Sequence, residues 1–100
     1  IAGAVLDGPL AFDNAVSAAA ARAKGIASPV AGDADILLVP NIEAGNMLAK
    51  QLRYLANADG AGIVVGARVP VILTSRADSV TARLASVAIA QLLADHSADS

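Results

Sequence analysis

The chain has no cysteine, a single histidine and an aromatic content of 2%. Without cysteine it can form no disulfide, no thiolate metal site and no cysteine nucleophile. The one histidine, His96, lies in a polar tail and leaves no histidine pair for a transition metal, so we expect no metal site. Seven basic residues are scattered among nine acidic ones, which argues against a nucleic-acid-binding surface.

Long uncharged segments are also missing. The longest spans about eleven residues, from Leu84 to Ala94, whereas a membrane-spanning helix needs about 20. We therefore expect a soluble, cytoplasmic protein with no membrane partner. The chain begins at Ile1 without a methionine or a signal-peptide pattern, and we expect it to be part of a longer protein.

Small and aliphatic residues are abundant instead. The chain is 56% apolar, and about a quarter of it is alanine. This content excludes a disordered segment, because such segments lack the apolar surface that offsets the entropy lost on ordering. The length of 100 residues fits one domain, which typically has about 100–150 residues.

Short apolar runs alternate with longer helical segments, a pattern typical of α/β proteins. Predicted strands cover residues 2–6, 35–39, 62–65 and 70–74, and predicted helices cover residues 13–24, 43–58 and, from 78 or 79, to 94. The link between the last two strands is too short for a crossover helix, so we expect them to be antiparallel neighbours. The sequence therefore predicts an α/β fold with a mixed sheet.

Helix ends and inner faces can also be predicted. Asp13 and Gly25 are expected to cap the first helix at its two ends. Apolar residues at helical spacing are expected to point inward: Ala44, Leu48, Leu52 and Leu55 in the second helix, and Val80, Leu84, Val87 and Leu92 in the third.

The first candidate site follows the predicted strand at residues 35–39. Ligands of open α/β sheets bind beyond the carboxyl ends of strands, near helix N-termini. Here Gly45 would allow a ligand to approach closely, and Asn46 offers a donor and an acceptor. Free N–H groups in the first helical turn would favour an anion such as phosphate. A plain helix start explains the same residues, since one glycine is a weak phosphate signal.

The second candidate site lies between the last predicted strand and the last helix. Thr74, Ser75, Arg76 and Asp78 place hydroxyls, a guanidinium and a carboxylate within five residues. Arg76 could hold a phosphate, Ser75 could stabilise a developing oxyanion, and Asp78 could accept a proton. The alternative is that Asp78 or Ser79 is a helix N-cap and Arg76 a solvated charge.

Three segments stand out in order along the chain. They are L-D-G-P-L-A-F-D-N-A-V-S at residues 6–17, V-A-G-D-A-D-I-L-L-V-P-N-I-E-A-G-N-M-L-A-K-Q-L at residues 30–52, and G-A-R-V-P-V-I-L-T-S-R-A-D-S at residues 66–79. Together they resemble the C-terminal part of the phosphate acetyltransferase/butyryltransferase family. The S-R-A-D-S form resembles the butyryltransferase branch.

This resemblance implies acyl transfer between coenzyme A and inorganic phosphate, with CoA as a substrate and no cofactor. It implies a three-layer α/β fold with a mixed, mostly parallel sheet, related to isocitrate and isopropylmalate dehydrogenases, and a homodimer. The whole chain, residues 1–100, would be the C-terminal portion of such an enzyme. The N-terminal lobe would be missing, so we expect the isolated chain to be inactive.

Roles for individual residues follow from the resemblance. Ser75 and Arg76 match a Ser-Arg pair at the family's cleft, where the serine is implicated in stabilising the reaction centre and the arginine in holding phosphate or CoA. Gly45 and Asn46 match a glycine-asparagine pair on the other wall. Together with Thr74, Gly45 and Asn46 are the predicted substrate-binding residues.

One position departs from the pattern. The acetyltransferase branch has an aspartate seven residues after the serine, proposed to deprotonate the CoA thiol, and that position is Ala82 here. Either Asp78 is the base or no residue of this segment is.

A second hypothesis is a non-catalytic assembly or regulatory module, like related domains fused to malic enzymes. A dehydrogenase is disfavoured because no metal-binding aspartate cluster is evident.

Overall fold

In the computed structural model, which describes residues 2–98, the chain forms four α-helices within two compact units. The first unit, Ile1–Ile42, contains α1 (Phe12–Val16) and α2 (Ala18–Ala23). The second, Glu43–Ser100, contains α3 (Ile42–Leu55) except its first residue, and α4 (Val80–Ala98). Both candidate sites fall in the second unit.

The prediction of a three-layer α/β fold with a mixed, mostly parallel sheet like that of isocitrate and isopropylmalate dehydrogenases is wrong for the described residues. Between residues 2 and 98 the chain contains helices but no strand. In the predicted strand at residues 35–39, Ile36 and Leu38 are 85% and 90% exposed. An apolar run favours burial, but a strand also needs a neighbouring backbone for its hydrogen bonds. The described part of the chain provides none for this segment.

One antiparallel pair remains where two strands were predicted. The Val64 N–H donates to the Val71 carbonyl at 2.8 Å, and the Val71 N–H donates back at 3.4 Å. The predicted antiparallel direction is therefore confirmed at a single pair of residues, whereas the strands themselves are not formed.

The predicted helix at residues 13–24 is divided in two by Ser17. This residue has an extended backbone, with φ −128° and ψ 109°, and its Oγ accepts a hydrogen bond from the Ala20 N–H at 3.3 Å. Ser17 is therefore the N-cap of α2. The prediction that Asp13 is a cap is wrong, because Asp13 lies in the first turn of α1 and pairs with Lys24 at 2.7 Å.

The end of α2 is as predicted. Gly25 has a φ of +65°, and its N–H donates to the Arg22 carbonyl at 3.0 Å. The Ile26 N–H donates to the Ala21 carbonyl, also at 3.0 Å. This pair of bonds is the Schellman ending, which favours glycine at its left-handed position.

The loop after α2 returns to the junction between α1 and α2. The N–H groups of Gly32 and Ala34 both donate to the Ala15 carbonyl, at 3.2 and 3.1 Å. Gly32 has a φ of +90°, and a Cβ added there would lie 2.5 Å from the Ala18 Cα. A side chain at this position would therefore strain the backbone and collide with α2.

In the second unit, α3 ends earlier than predicted, at Leu55 instead of residue 58. Asn57 has a left-handed backbone with φ 52°, and the Ala58 N–H donates to the Leu52 carbonyl at 3.0 Å. Asparagine is one of the few residues that accept this conformation readily. The left-handed residue turns the chain out of the helix.

Ser79 begins α4. Its Oγ accepts from the Ala82 N–H at 3.1 Å, and its carbonyl accepts from the Arg83 N–H at 3.1 Å. The helix continues to Ala98, past the predicted end at residue 94, so His96 lies in its last turn. Residues 99 and 100 of the predicted polar tail lie outside the described residues.

The predicted inner face of α4 is wrong. The four residues predicted to point inward, Val80, Leu84, Val87 and Leu92, are 51–74% exposed. From Val80 to His96, the buried residues of α4 are the small ones at the i, i+4 and i+8 positions, namely Ala82, Ser86 and Ala90. Ser86 Oγ donates to the Ala82 carbonyl at 2.8 Å and accepts from the Gly62 N–H at 3.0 Å. Because the side chains on this face are small, the backbone at Gly62 can approach α4.

The predicted inner face of α3 is correct only in its first half. Ala44 and Leu48 are half-buried, whereas Leu52 and Leu55 are exposed. No helix in the described range is long and apolar enough to cross a membrane.

Candidate functional site

Three of the predicted site residues, Ser75, Arg76 and Asp78, lie in one tight turn before α4, which we call the Ser75 turn (residues 75–78). The Asp78 N–H donates to the Ser75 carbonyl at 3.0 Å, and the Ser75 N–H donates to Asp78 Oδ2 at 2.7 Å. Ser75 Oγ accepts a longer bond from the Ala77 N–H at 3.4 Å. The bond from the Ser75 N–H to the Asp78 carboxylate corresponds to one half of a capping box, and the bond from the Asp78 N–H to the Ser75 carbonyl is that of a β-turn. These bonds hold the turn while Ser75 and Arg76 are exposed.

Arg53 of α3 binds the other side of the Asp78 carboxylate. Its Nη1 donates to Asp78 Oδ1 and forms an ion pair. The pair is partly shielded from solvent, since the two side chains are 29% and 12% exposed. Gly60 lies beside Arg53, and a Cβ added there would lie 3.4 Å from the Arg53 Cδ, an ordinary van der Waals contact.

These contacts determine the protonation of Asp78. The hydrogen bond from Arg53 lowers the pKa of the carboxyl below its ordinary value, and the bond from the Ser75 N–H lowers this pKa further. Burial acts in the opposite direction, and the positive charges of Arg53 and Lys50 add smaller reductions. Asp78 is therefore held as a carboxylate.

The structure distinguishes the alternatives for Asp78 and Ser79. Ser79 is the N-cap of α4, because its Oγ accepts from the N–H three residues later. Asp78 instead bonds back into the Ser75 turn and across to α3. The suggestion that Asp78 is a simple N-cap is therefore wrong.

The backbone of Arg76 is hydrogen-bonded, whereas its side chain is exposed. Its carbonyl accepts a hydrogen bond from Arg83 Nη2 of α4 at 3.4 Å. The Arg76 guanidinium takes part in neither the Asp13–Lys24 nor the Arg53–Asp78 ion pair. Its charge is therefore presented to solvent.

Two cavities adjoin the Arg53–Asp78 pair. The larger, of about 390 Å³, is lined by Arg53, Ser79 and Ala82 among others. The smaller, of about 290 Å³, is lined by Arg53, Asp78 and the half-buried Thr74. Ala82, where the resemblance expects an aspartate, thus lines the larger cavity, and the predicted substrate-binding Thr74 lines the smaller one.

Gly45 and Asn46 lie near the start of α3. Gly45 is half-buried and Asn46 is exposed. Arg53 follows Gly45 by eight residues, which corresponds to about 12 Å along the helix axis. The part of α3 that meets Asp78 is therefore about two turns away from Gly45, and the binding roles of Gly45 and Asn46 remain predictions.

Sequence reasoning missed Arg53 and Arg83. The S-x-x-D spacing of Ser75 and Asp78 is a local signal that could have predicted the bond from the Ser75 N–H to the Asp78 carboxylate. Arg53 has no such signal, because it precedes Asp78 by 25 residues. The contact of Arg83 with the Arg76 carbonyl spans seven residues across a helix start.

Metal ligands are not grouped in the described range. Between residues 2 and 98 no three His, Cys, Asp or Glu side chains come together in a way that could hold a metal ion. The expectations of no metal and no cofactor remain predictions.

The family is shown by comparison of the sequence with known proteins. Residues 2–91 match the model of the family described as "Phosphate acetyl/butaryl transferase". The chain belongs to this family, as the three sequence segments indicate. The matched range includes all of the predicted site residues.

Relatives of both acyl types are similar to the chain. It is 68% identical to a phosphate acetyltransferase of Rhizobium meliloti over 94% of the chain and 30% of that protein. It is 53% identical to a phosphate butyryltransferase of Clostridium beijerinckii over 94% of the chain and 31% of that protein. The chain thus spans about a third of the length of these relatives.

A solved structure also matches. The crystal structure of a branched-chain phosphotransacylase from Enterococcus faecalis V583 is 46% identical in sequence and gives a TM-score of 0.74. The match covers 84% of this chain and 32% of that one. The path of the chain is therefore similar to that of about a third of that protein.

Proposed function

We propose that this chain is part of a phosphate acyltransferase, which converts acyl-CoA and inorganic phosphate into acyl phosphate and CoA. The observation that carries this proposal is the close similarity to relatives named phosphate acetyltransferase and phosphate butyryltransferase, over 94% of the chain. The S-R-A-D-S segment predicts the butyryltransferase branch, and a phosphate butyryltransferase is one of these similar relatives.

The Ser75 turn supplies groups that suit this chemistry. Phosphate attacks the thioester carbonyl, the C–S bond breaks, and the sulfur leaves as CoA thiolate; in reverse, the thiolate attacks the acyl phosphate. Both directions pass through an oxyanion, which donors placed beforehand stabilise. We assign the Arg76 guanidinium to the phosphate, because it is exposed and presents a planar set of donors. We assign the Ser75 hydroxyl to the reacting carbonyl oxygen.

Further properties of the whole enzyme belong to the same proposal. CoA is a substrate and no cofactor takes part. The rest of the active site comes from an N-terminal lobe that this chain does not include, and the enzyme is a cytoplasmic homodimer. Gly45, Asn46 and Thr74 contact the substrates.

A CoA-release assay tests the proposed function. The full-length protein is mixed with acetyl-, propionyl- or butyryl-CoA, with and without phosphate, and free thiol is followed over time. We expect release that requires phosphate and produces acyl phosphate. Absence of phosphate-dependent release with all three thioesters would contradict the proposal and favour a non-catalytic module.

A further inference from the structure

Both oxygens of the Asp78 carboxylate are occupied within the structure. Oδ1 accepts from Arg53 Nη1, and Oδ2 accepts from the Ser75 N–H at 2.7 Å. A general base needs an oxygen within reach of the proton that it removes, and a pKa near the working pH. The contacts of Asp78 instead lower its pKa and partly shield the carboxylate from solvent. These properties suit a rigid support better than a proton acceptor.

The Ser75 turn needs such a support. Ser75 and Arg76 are exposed and lie outside the helices, so neighbouring packing does little to fix their backbone. Asp78 joins the turn to Arg53 of α3, while Arg83 of α4 bonds to the Arg76 carbonyl. The turn is thus tied to a helix on each side. A displacement of about 1 Å in a catalytic group can cost about 100-fold in rate.

We infer that Asp78 is a positioning residue, and that Arg53 and Asp78 act as one unit that holds the Ser75 turn. This unit directs the Arg76 guanidinium toward phosphate and the Ser75 hydroxyl toward the reacting carbonyl oxygen. The inference rests on the proposed function. It gives a role to Arg53, which sequence reasoning did not single out, and it replaces proton transfer as the task of Asp78.

Kinetics of the full-length enzyme separate positioning from base catalysis. The variants are Asp78→Asn, Arg53→Met and the double variant, with Arg53→Lys as the conservative change. We expect the KM for phosphate to rise about tenfold or more in both single variants, because the phosphate-holding group is misplaced. The double variant should lose no more activity than the more impaired of the two single variants, because both substitutions break the same unit. Arg53→Lys should recover part of the loss, and the pH profile of kcat should keep its wild-type midpoint.

Hydrogen exchange measures the turn independently of activity. We expect peptides that cover residues 74–79 to exchange faster in Asp78→Asn and Arg53→Met, while peptides from the middle of α4 keep their wild-type exchange. Asp95→Asn and Arg68→Met are matched controls, because Asp95 and Arg68 are exposed and lie outside the Ser75 turn. Both controls should leave the kinetics and the exchange unchanged.

Two results would overturn the inference. One is a loss of kcat of about 100-fold or more in Asp78→Asn, together with loss of a limb of the pH profile and near-normal Arg53→Met. The other is wild-type exchange of residues 74–79 in both single variants. If the unaltered enzyme releases no CoA, the proposed function fails, while the exchange experiment still decides whether Arg53 and Asp78 hold the turn.

Discussion

The Asp78 carboxylate accepts a hydrogen bond of 2.7 Å from the Ser75 backbone N–H, three residues earlier in the chain. A side chain with the chemistry of a proton acceptor is therefore bonded within its own turn. Its second oxygen binds Arg53, so the segment that precedes α4 is joined to α3 through a single carboxylate.

This arrangement predicts an acid-sensitive contribution to stability. The pKa of Asp78 is lower in the folded protein than in the unfolded chain, first because of the bond from Arg53. The stabilisation is therefore fully present above about pH 4 and is lost as the pH falls through the folded-state pKa. Asp78→Asn should lower the urea midpoint of the full-length protein at pH 7, and the difference from wild type should shrink in acid.

The matched control for this pH dependence is Asp95→Asn, which removes an exposed carboxylate of α4. At pH 7 it should leave the urea midpoint close to that of wild type, because the side chain is exposed. A deficit of Asp78→Asn that stays constant from neutral to acidic pH would show that the lowered pKa contributes nothing to stability.

On α4, the effect of a larger side chain on stability should depend on whether its position lies on the buried face of small residues. Ala90 is 7% exposed, whereas Ala88, two residues earlier, is on the exposed side. Ala90→Leu should destabilise the protein by about 1–3 kcal/mol because the added carbons must displace packed neighbours. Ala88→Leu should change the free energy of unfolding by less than about 0.5 kcal/mol. Equal effects in denaturant titrations would contradict the assigned face.

A side chain at position 32 should destabilise the protein in two ways, by straining the backbone and by colliding with α2. Its φ is +90°, and a Cβ would lie 2.5 Å from the Ala18 Cα. Gly66 has a similar φ of +96°, but no atom lies within 4 Å of its added Cβ. Gly66→Ala should therefore cost about 1 kcal/mol from conformation alone. Gly32→Ala should cost clearly more in thermal unfolding, and equal losses would show that Ala18 gives way freely.

The isolated hundred-residue chain should be inactive. It spans about a third of its relatives, and large apolar side chains such as Ile36, Leu38 and Leu84 are exposed in it. In the CoA-release assay we expect no robust turnover from this chain alone, even at saturating phosphate. Turnover comparable to that of the full-length protein would show that the proposed N-terminal lobe is not needed for the chemistry.

The sequence predicted well what depends on neighbouring residues. Gly25 at the end of α2 and the alternative that Ser79 caps α4 follow from local backbone and side-chain chemistry. Ser17 shows the limit of this reasoning. The alanine-rich run that follows it predicts one continuous helix, whereas the Ser17 side chain caps a second helix, α2. The family was predicted from three segments and confirmed by comparison.

The sheet and the helix faces could not be predicted in this way. The run from Ile36 to Val39 is apolar enough for a buried strand, but strand formation depends on a partner backbone that the segment does not specify. Helical spacing pointed to Leu84 and Val87 as inner residues, whereas close approach of Gly62 to α4 buries Ser86. Arg53 was missed for the same reason, since its partner Asp78 is distant in sequence.

The role of Arg76 is tested most directly by the phosphate dependence of CoA release by Arg76→Ala in the full-length enzyme, with Arg68→Ala as control. Because Arg76 is assigned to the phosphate, its loss should raise the KM for phosphate and lower turnover by about 100- to 1,000-fold. The exposed Arg68 should be replaceable without effect. Activity of Arg76→Ala within a few-fold of wild type, at an unchanged KM for phosphate, would contradict the assignment of the Ser75 turn as the site of acyl transfer.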